Sequence, residues 1–341
     1  MGVRGAPATP RGRRVTSYDV AVAAGVAQST VSRCFVPGSE LSAATRARVQ
    51  DVAARLGYVP NALARSLITR RSDMVALIVT AFTLRVNPAI VSGIGRALNA
   101  QGKQLLLMAV ESDEAAQAAA QAALHYPLDG LVLATSLSDA DVRPFLKRGV
   151  PVLSFNRPMM LPRVDLVATE QAGAAREIAG LLHAAGHRRF LCVGATPDMP
   201  VSRERAAGFL ERLAELGVAD AMQTLVDPSY EGGRQGFLTQ VRAHGVPGAV
   251  FCVNDALAFG VLDACRFDLG LQAPGDVSVV GFDDLQAASH RSYDLTTVRQ
   301  SIEAMADAAV ALLLQRLSQP EAKAQRRLFQ GVLVRRGSAR L

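Results

Sequence analysis

The chain has 341 residues, half of them hydrophobic and one fifth charged, with no tryptophan, four cysteines and a formal net charge of +7. No run of 18 or more apolar residues occurs, which excludes a helix-spanning membrane protein, and so few, widely spaced cysteines exclude a disulfide-stapled secreted scaffold. The charge is uneven: residues 1–71 hold 11 basic and 3 acidic side chains, the remainder 26 and 27. A cationic head on a near-neutral body is the electrostatic footprint of a phosphate-binding module.

Residues 1–14, with Pro7, Pro10, Arg11, Arg13 and Arg14, have no apolar core of a signal peptide and read as a disordered basic arm, which implies a cytoplasmic protein. Thr16 and Asp19 have the spacing of a capping box, so a helix is expected to start at Ser17 and to end at Gly25. Val20, Ala21, Ala24, Val26 and Val31 then meet inside the angle with a second helix over about 28–35. With Val31 turned inward, Gln28, Ser29, Ser32 and Arg33 occupy the outer face of that helix, where a major groove can receive them. A third helix, about 42–56, closes the core through Val49, Val52, Ala53 and Leu56 and stops at Gly57. Singly, each of these features also fits a solvated basic helix or a plain linker. Their order within one stretch favours a helix-turn-helix.

The segment resembles the headpiece of the lactose repressor (LacI) family of bacterial transcriptional regulators. The resemblance rests on Val15, Thr16, Asp19 to Ala21, Ala24 to Val26, Thr30 to Arg33, Leu56 to Tyr58, Pro60 and Asn61. It implies DNA contacts from Thr16, Tyr18, Gln28, Ser29, Thr30, Ser32 and Arg33. It continues into Ala62 to Leu67, similar to the family's hinge helix, and so implies further contacts from Asn61, Ala64 and Leu67, with Leu67 as the minor-groove wedge. Pro60 suits a first helical turn, and a helix this short needs DNA to order it. One departure is Ala27, where the family commonly has a serine N-cap; losing such a cap costs roughly 1 kcal/mol.

Beyond Arg71, short apolar runs alternate with helix-period segments. Strands are expected at 75–79, 104–108, 130–133, 151–155, 189–193, 249–253 and 277–280, and helices at 89–100, 115–125, 172–185, 202–216 and 257–269. This alternation predicts α/β architecture with doubly wound parallel sheets in two lobes, and breaks near 162–164, 293–298 and 323–330 fit three crossings between them. Cys34, Cys192, Cys252 and Cys265 lie in apolar settings and read as reduced core thiols. The division expected is a basic arm at 1–14, a helix-turn-helix at 15–59, a hinge and linker at 60–73 and a two-lobed effector and dimerisation domain at 74–341.

The body also resembles the family, whose effector core has the fold of type I periplasmic binding proteins. The matching residues are Asn87-Pro88, Asp129-Gly130, Gly186 to Arg189, Arg203 with Arg205 to Phe209, Asn254-Asp255, Val277 to Asp283 and Leu295 to Val298. In open parallel sheets ligands bind beyond the carboxyl ends of strands, and Asn156, Asn254 and Asp283 directly follow apolar runs. The resemblance makes Arg205, Asn254 and Asp283 effector ligands; Asn156 stands where the family more often has Asp. Asp255 and Asp284 are candidates for helix caps, and Arg203 for a solvated face. The family's aromatic platform after Asn-Pro is replaced by Ala89-Ile90, leaving Phe82, Phe155 or His290 as substitutes, while Arg157 adds charge. Both a sugar-like compound and an organic acid therefore fit. At Thr169-Glu170 the family's usual Asp-Asn pair is absent.

Enzyme chemistry is not indicated: there is no Gly-x-Ser-x-Gly, and Gly93-Ile94-Gly95 falls inside a helix. His183 and His187 are separated by the helix-ending Gly186, so neither a metal site nor a cofactor is expected. An effector-gated repressor on a palindromic operator is the leading expectation, and a dimer is favoured over a tetramer because no leucine-heptad tail follows the strand candidate at 328–334. A regulator controlled by a protein partner is the alternative, and a hydrolase or sugar-transport protein with an incidental basic arm is disfavoured by the head.

Overall fold

The computed structural model describes residues 15–35, 39–59, 71–196 and 199–341. The chain divides into two compact units, one formed by residues 1–73 with 127–129, the other by 74–126 with 130–341. The expected basic arm and the hinge residues Asn61, Ala64 and Leu67 lie outside the described residues.

In the first unit α1 (Ser17–Ala24), α2 (Gln28–Cys34) and α3 (Ala43–Leu56) close the small core expected from the sequence. The Thr16 hydroxyl accepts from the Asp19 amide at 3.4 Å, and the Asp19 carboxylate accepts from the Thr16 amide at 2.8 Å, a complete capping box. Gly25 and Gly57 end α1 and α3 with φ of 62° and 66°, a region that glycine enters without the penalty of a Cβ. Ala27 is the N-cap of α2 and offers no side-chain acceptor. The other end of α2 is held by Arg46, whose guanidinium donates to the Cys34 carbonyl at 2.6 Å and the Ser39 carbonyl at 3.0 Å.

The second unit runs β1 (Met74–Thr80), α4 (Ala81–Val86), α5 (Ala89–Ala100), β2 (Gln104–Val110), α6 (Ala116–Ala123), β3 (Gly130–Ala134), α7 (Asp139–Lys147), β4 (Val152–Phe155) and β5 (Val164–Glu170). It continues through α8 (Gln171–Ala184), β6 (Phe190–Ala195), α9 (Pro200–Glu215), β7 (Ala221–Val226), α10 (Tyr230–His244), β8 (Ala249–Cys252), α11 (Asp255–Asp263) and β9 (Ser278–Val280). Finally come β10 (Thr297–Arg299), α12 (Ile302–Ser318), β11 (Arg326–Gln330) and β12 (Val332–Val334). One lobe holds a parallel sheet in the order β11-β5-β4-β3-β1-β2, the other a parallel sheet β7-β6-β8-β9. Central strands such as Met74–Thr80 are buried almost throughout, whereas the edge strands β2 and β7 alternate, which is why β7 escapes a search for unbroken apolar runs. Cys192, Cys252 and Cys265 sit in the second lobe's core and Cys34 in the head's.

Three expectations need correction. The break near 162–164 is a turn before β5, itself a strand of the first sheet; the chain crosses at the β5–α8 junction, since α8 packs on α9 in the second lobe. The second crossing follows β10, because α12 returns to the first lobe's core through Ile302, Met305 and Ala309. The run 328–334 is two strands, not one: β11 pairs with β5, and β12 pairs antiparallel with β10. Gly331 separates them at the third crossing, where a Cβ would stand 2.5 Å from Val298 Cγ1.

Candidate functional site

On the head, Ser29 and Arg33 are exposed along one side of α2 and Gln28 and Ser32 half-buried beside them, the i, i+4 pairing of a single helix face. The Gln28 amide donates to the hydroxyls of Ser17 and Ser32, both at 3.1 Å, tying α2 to the start of α1. Arg33 Nε donates to the Ser29 carbonyl of its own helix at 3.4 Å. Tyr18 is exposed, Thr30 is half-buried and Thr16 is engaged in the capping box. The face is polar, cationic at Arg33 and underlain by the fully buried Val31.

In the core, strand order reverses between β1 and β3 in one sheet and between β6 and β8 in the other. At such switch points neighbouring connections leave in opposite directions and open a crevice. A cleft lies at both reversals, lined by Phe82, Asn87 and Ala134 from one lobe and Ala195, Val253 and Asn254 from the other. Asn156, Arg205, Asn254 and Asp283 all line it, although they come from four separate stretches of chain. Phe82 and Phe155 line it too, with Val86, Ile90 and Met199 adding apolar wall; His290 is exposed elsewhere and is not among the lining residues.

The polar groups form a closed ring of hydrogen bonds. Arg205 Nη1 meets Asp283 Oδ1 at 3.1 Å, while its Nε donates to Gln171 Oε1 at 2.8 Å and its Nη1 to the Val253 carbonyl at 2.7 Å. Its guanidinium also lies 3.7 Å over the Phe282 ring. Gln300 Nε2 donates to Asp283 Oδ1 at 2.7 Å, and Gln300 Oε1 accepts from Asn156 Nδ2 at 3.0 Å and Thr169 Oγ1 at 2.8 Å. Asn156 Oδ1 accepts from the Thr169 amide at 2.8 Å and from Gln171 Nε2 at 3.5 Å. Burial pushes the Asp283 carboxyl above its ordinary range, opposed by Arg205 and Gln300; burial likewise pulls the Arg205 guanidinium down, opposed by Asp283.

Gln171 and Gln300 are the functional candidates that sequence reasoning missed. Each directly follows a strand, β5 or β10, and sits at a crossing between the lobes. The rule that singled out Asn254 applies to them once those strands are recognised. Thr169, where the family's Asp-Asn pair is absent, serves the same ring, and Glu170 caps α8 by accepting from the Gly173 amide at 2.7 Å.

The helix-cap expectation also changes. Asn254, not Asp255, caps α11, accepting from the Leu257 amide at 2.8 Å. Asp255 is wholly buried, accepts from Thr297 Oγ1 at 2.5 Å and the Leu285 amide at 2.8 Å, and is pushed up to about 7, chiefly by burial and then by Asp283. Asp284 caps no helix; it pairs with Arg299 and Arg336, each at 2.6 Å. Among the described residues no group of three or more His, Cys, Asp or Glu side chains is arranged to hold a metal ion, and no helix is long and apolar enough to cross a membrane.

Comparison with known proteins agrees with this anatomy. Residues 16–61 match the family model for bacterial regulatory proteins of the lacI family, and residues 179–339 the periplasmic binding protein-like domain. The chain is 33% identical over 319 residues to the HTH-type transcriptional regulator CelR of Thermobifida fusca, covering 90% of this chain and 93% of that protein. It is 30% identical to the ribose operon repressor of Escherichia coli K12, covering 95% and 99%. The crystal structure of the lac repressor dimer bound to operator and the anti-inducer ONPF superposes with a TM-score of 0.85 at 28% identity, over 96% of this chain and 99% of that one. The chain belongs to the lacI family of bacterial regulatory proteins and is a DNA-binding transcriptional regulator, not an enzyme.

Proposed function

We propose that this protein is a cytoplasmic, effector-gated repressor that binds a two-fold symmetric operator as a homodimer. Gln28, Ser29 and Arg33 of each head read a half-site in the major groove, with Thr16, Tyr18, Thr30 and Ser32 holding the head on the duplex. Residues 15–59 form the reading unit, and residues 60–73 link it to an effector and dimerisation domain at 74–341. In that link Asn61, Ala64 and Leu67 contact the operator centre. A small polar metabolite, sugar-like or acidic, binds Asn156, Arg205, Asn254 and Asp283 and changes operator affinity by altering the angle between the lobes.

The observation that supports gating by a metabolite is the convergence of those four side chains, from distant stretches of chain, on one cleft at both sheet reversals. Relatives point the same way: the solved structure of a transcriptional regulator CelR-cellobiose complex matches at 30% identity and a TM-score of 0.72 over 95% of this chain. Selection from a random DNA pool combined with a thermal-shift screen of sugars and sugar acids tests the proposal. Enriched palindromes and at least one stabilising metabolite are expected. Enrichment of sites without two-fold symmetry would refute paired heads, and operator binding released only by cell extract protein would favour a protein partner.

A further inference from the structure

Two guanidinium groups line the cleft, and among the described residues only one of them is paired with a carboxylate. Arg205 is neutralised by Asp283 at 3.1 Å and spends further donors on Gln171 and the Val253 carbonyl. Arg157, on the first lobe, has no such partner. Its Nη1 donates to the Asn156 carbonyl at 3.1 Å, but among the described residues no carboxylate lies within 4.0 Å of it. Its Nε is shielded from solvent and makes no hydrogen bond. The carboxylate with the largest effect on it is Asp113, which makes no ion pair with it and accepts from the Thr135 hydroxyl at 2.5 Å and the Ser136 amide at 3.0 Å, both through Oδ1.

This cation is held in place by the backbone. Asn156 adopts φ of 53° immediately after β4, and the Ser154 hydroxyl donates to the Arg157 carbonyl, so the chain turns sharply where Arg157 enters the cleft lining. A shielded donor on a charged group is costly to leave unmade, and a native structure that keeps one calls for an explanation in a ligand or a role. A neutral sugar hydroxyl would fill the hydrogen bond but leave the charge unmatched. A carboxylate or phosphate would satisfy both, since its oxygens match the guanidinium fork.

We propose that the effector is a polyhydroxylated acid, its hydroxyl end held by Asn254, Asp283 and Arg205 on the second lobe and its anionic group by Arg157 on the first. The proposal rests on the cleft being the effector site. One ligand then bridges the lobes, with the anion fixing which end faces which lobe. Burial and the like charge of Arg205 both weaken the Arg157 cation, and an arriving anion reverses that effect.

The test uses the full-length protein and matched probes: D-gluconate, D-galacturonate and D-glucose 6-phosphate against D-glucose, D-galactose and cellobiose, followed by thermal shift and calorimetric titration. At least one acid should raise Tm at concentrations where its neutral counterpart does not, and the gluconate, galacturonate and phosphate arms separate carboxylate from phosphate recognition. Arg157→Gln should weaken that acid at least tenfold and erase the preference over the neutral sugar. Without ligand, Arg157→Leu should raise Tm by roughly 2–4 °C, because an unmatched cation has been removed. A fall in ligand-free Tm for Arg157→Leu would mark the guanidinium as structural and overturn the proposal, as would no shift with any of the acids. A neutral sugar that binds as tightly as its acid and ignores Arg157→Gln would overturn the acid while leaving the cleft as the effector site. Acid binding that survives both Arg157→Gln and Arg205→Ala would overturn both readings.

Discussion

On α2 of the head, Ser29 and Arg33 face solvent, and among the described residues the Arg33 side chain bonds no farther than a carbonyl of its own helix. In the core cleft, Arg205 and Asn156 are buried and bonded within a ring through Gln171, Gln300 and Asp283. The residue types are alike, but the constraints are opposite. A solvated polar face is free to be chosen for its partner, so its variants read out on binding. Buried polar groups must satisfy one another when no ligand is present, so the same side chains both shape the site and fasten the crossings between lobes. Variants there should move stability and response together.

The largest expected effect is at Arg205. Arg205→Ala strands Asp283 and removes the bonds to Gln171 and Val253, so the core should lose about 3–5 kcal/mol along with its effector response. Chemical unfolding measures the first and operator binding the second; a loss below about 1 kcal/mol would break the claim that the cleft doubles as structure.

Next is a pH dependence specific to the core. The Asp255 carboxyl, at about 7 in the folded protein against 3.8 as the reference, keeps its proton in the native state while the unfolded chain has lost it. The folded state therefore binds more protons between about pH 4 and 7, and stability contributed by this group falls as pH rises through that window, then levels off. Asp255→Asn mimics the protonated form, with its amide facing Thr297 and its carbonyl facing the Leu285 amide, and should flatten the profile by an amount on the order of a few kcal/mol. Unfolding series from pH 4.5 to 8 on both proteins would settle this. A wild-type stability that rises across the window while the variant matches it would contradict the burial argument.

In the head the expected effects are smaller and of the other kind. Arg33→Ala should cost about 1–3 kcal/mol of operator affinity and relax preference at one symmetric base position, yet leave Tm nearly unmoved, because the side chain is exposed. A Tm change as large as that of Arg205→Ala would erase the contrast between the two regions. Smallest is Ala27→Ser: Ala27 has the extended backbone of an N-cap, with φ of −67° and ψ of 148°, but no acceptor, so a serine hydroxyl should stabilise the head by about 0.5–1 kcal/mol. Differential unfolding followed by helical circular dichroism would detect it.

The head was almost fully legible in the sequence because its signals are local: a capping box, two terminal glycines and an apolar set within helical reach. The cleft was legible where apolar runs announce the preceding strand, as before Asn156, Asn254 and Asp283, and, for Arg205 within α9, only through the family resemblance. Gln171 and Gln300 escaped because β5 is broken by Asp165 and the polar pair Thr169-Glu170, and β10 spans only three residues. Asp165 sits within a strand because Arg316 from α12 reaches it at 2.6 Å, a contact 151 residues away that no local pattern encodes. Asp255 looked like a cap because it follows a strand end; its burial depends on Gly281, where a Cβ would stand 2.3 Å from its Oδ1.

The central claim is that occupancy of the cleft sets operator affinity, and it is tested most directly by titrating the operator selected by this protein with and without the metabolite that raises its Tm. Saturating ligand should change the operator Kd by at least about fivefold in the wild type and by no measurable amount in Asp283→Asn at the same ligand concentration. A wild-type Kd that stays fixed while Tm rises, or a response that persists in Asp283→Asn, would contradict the account.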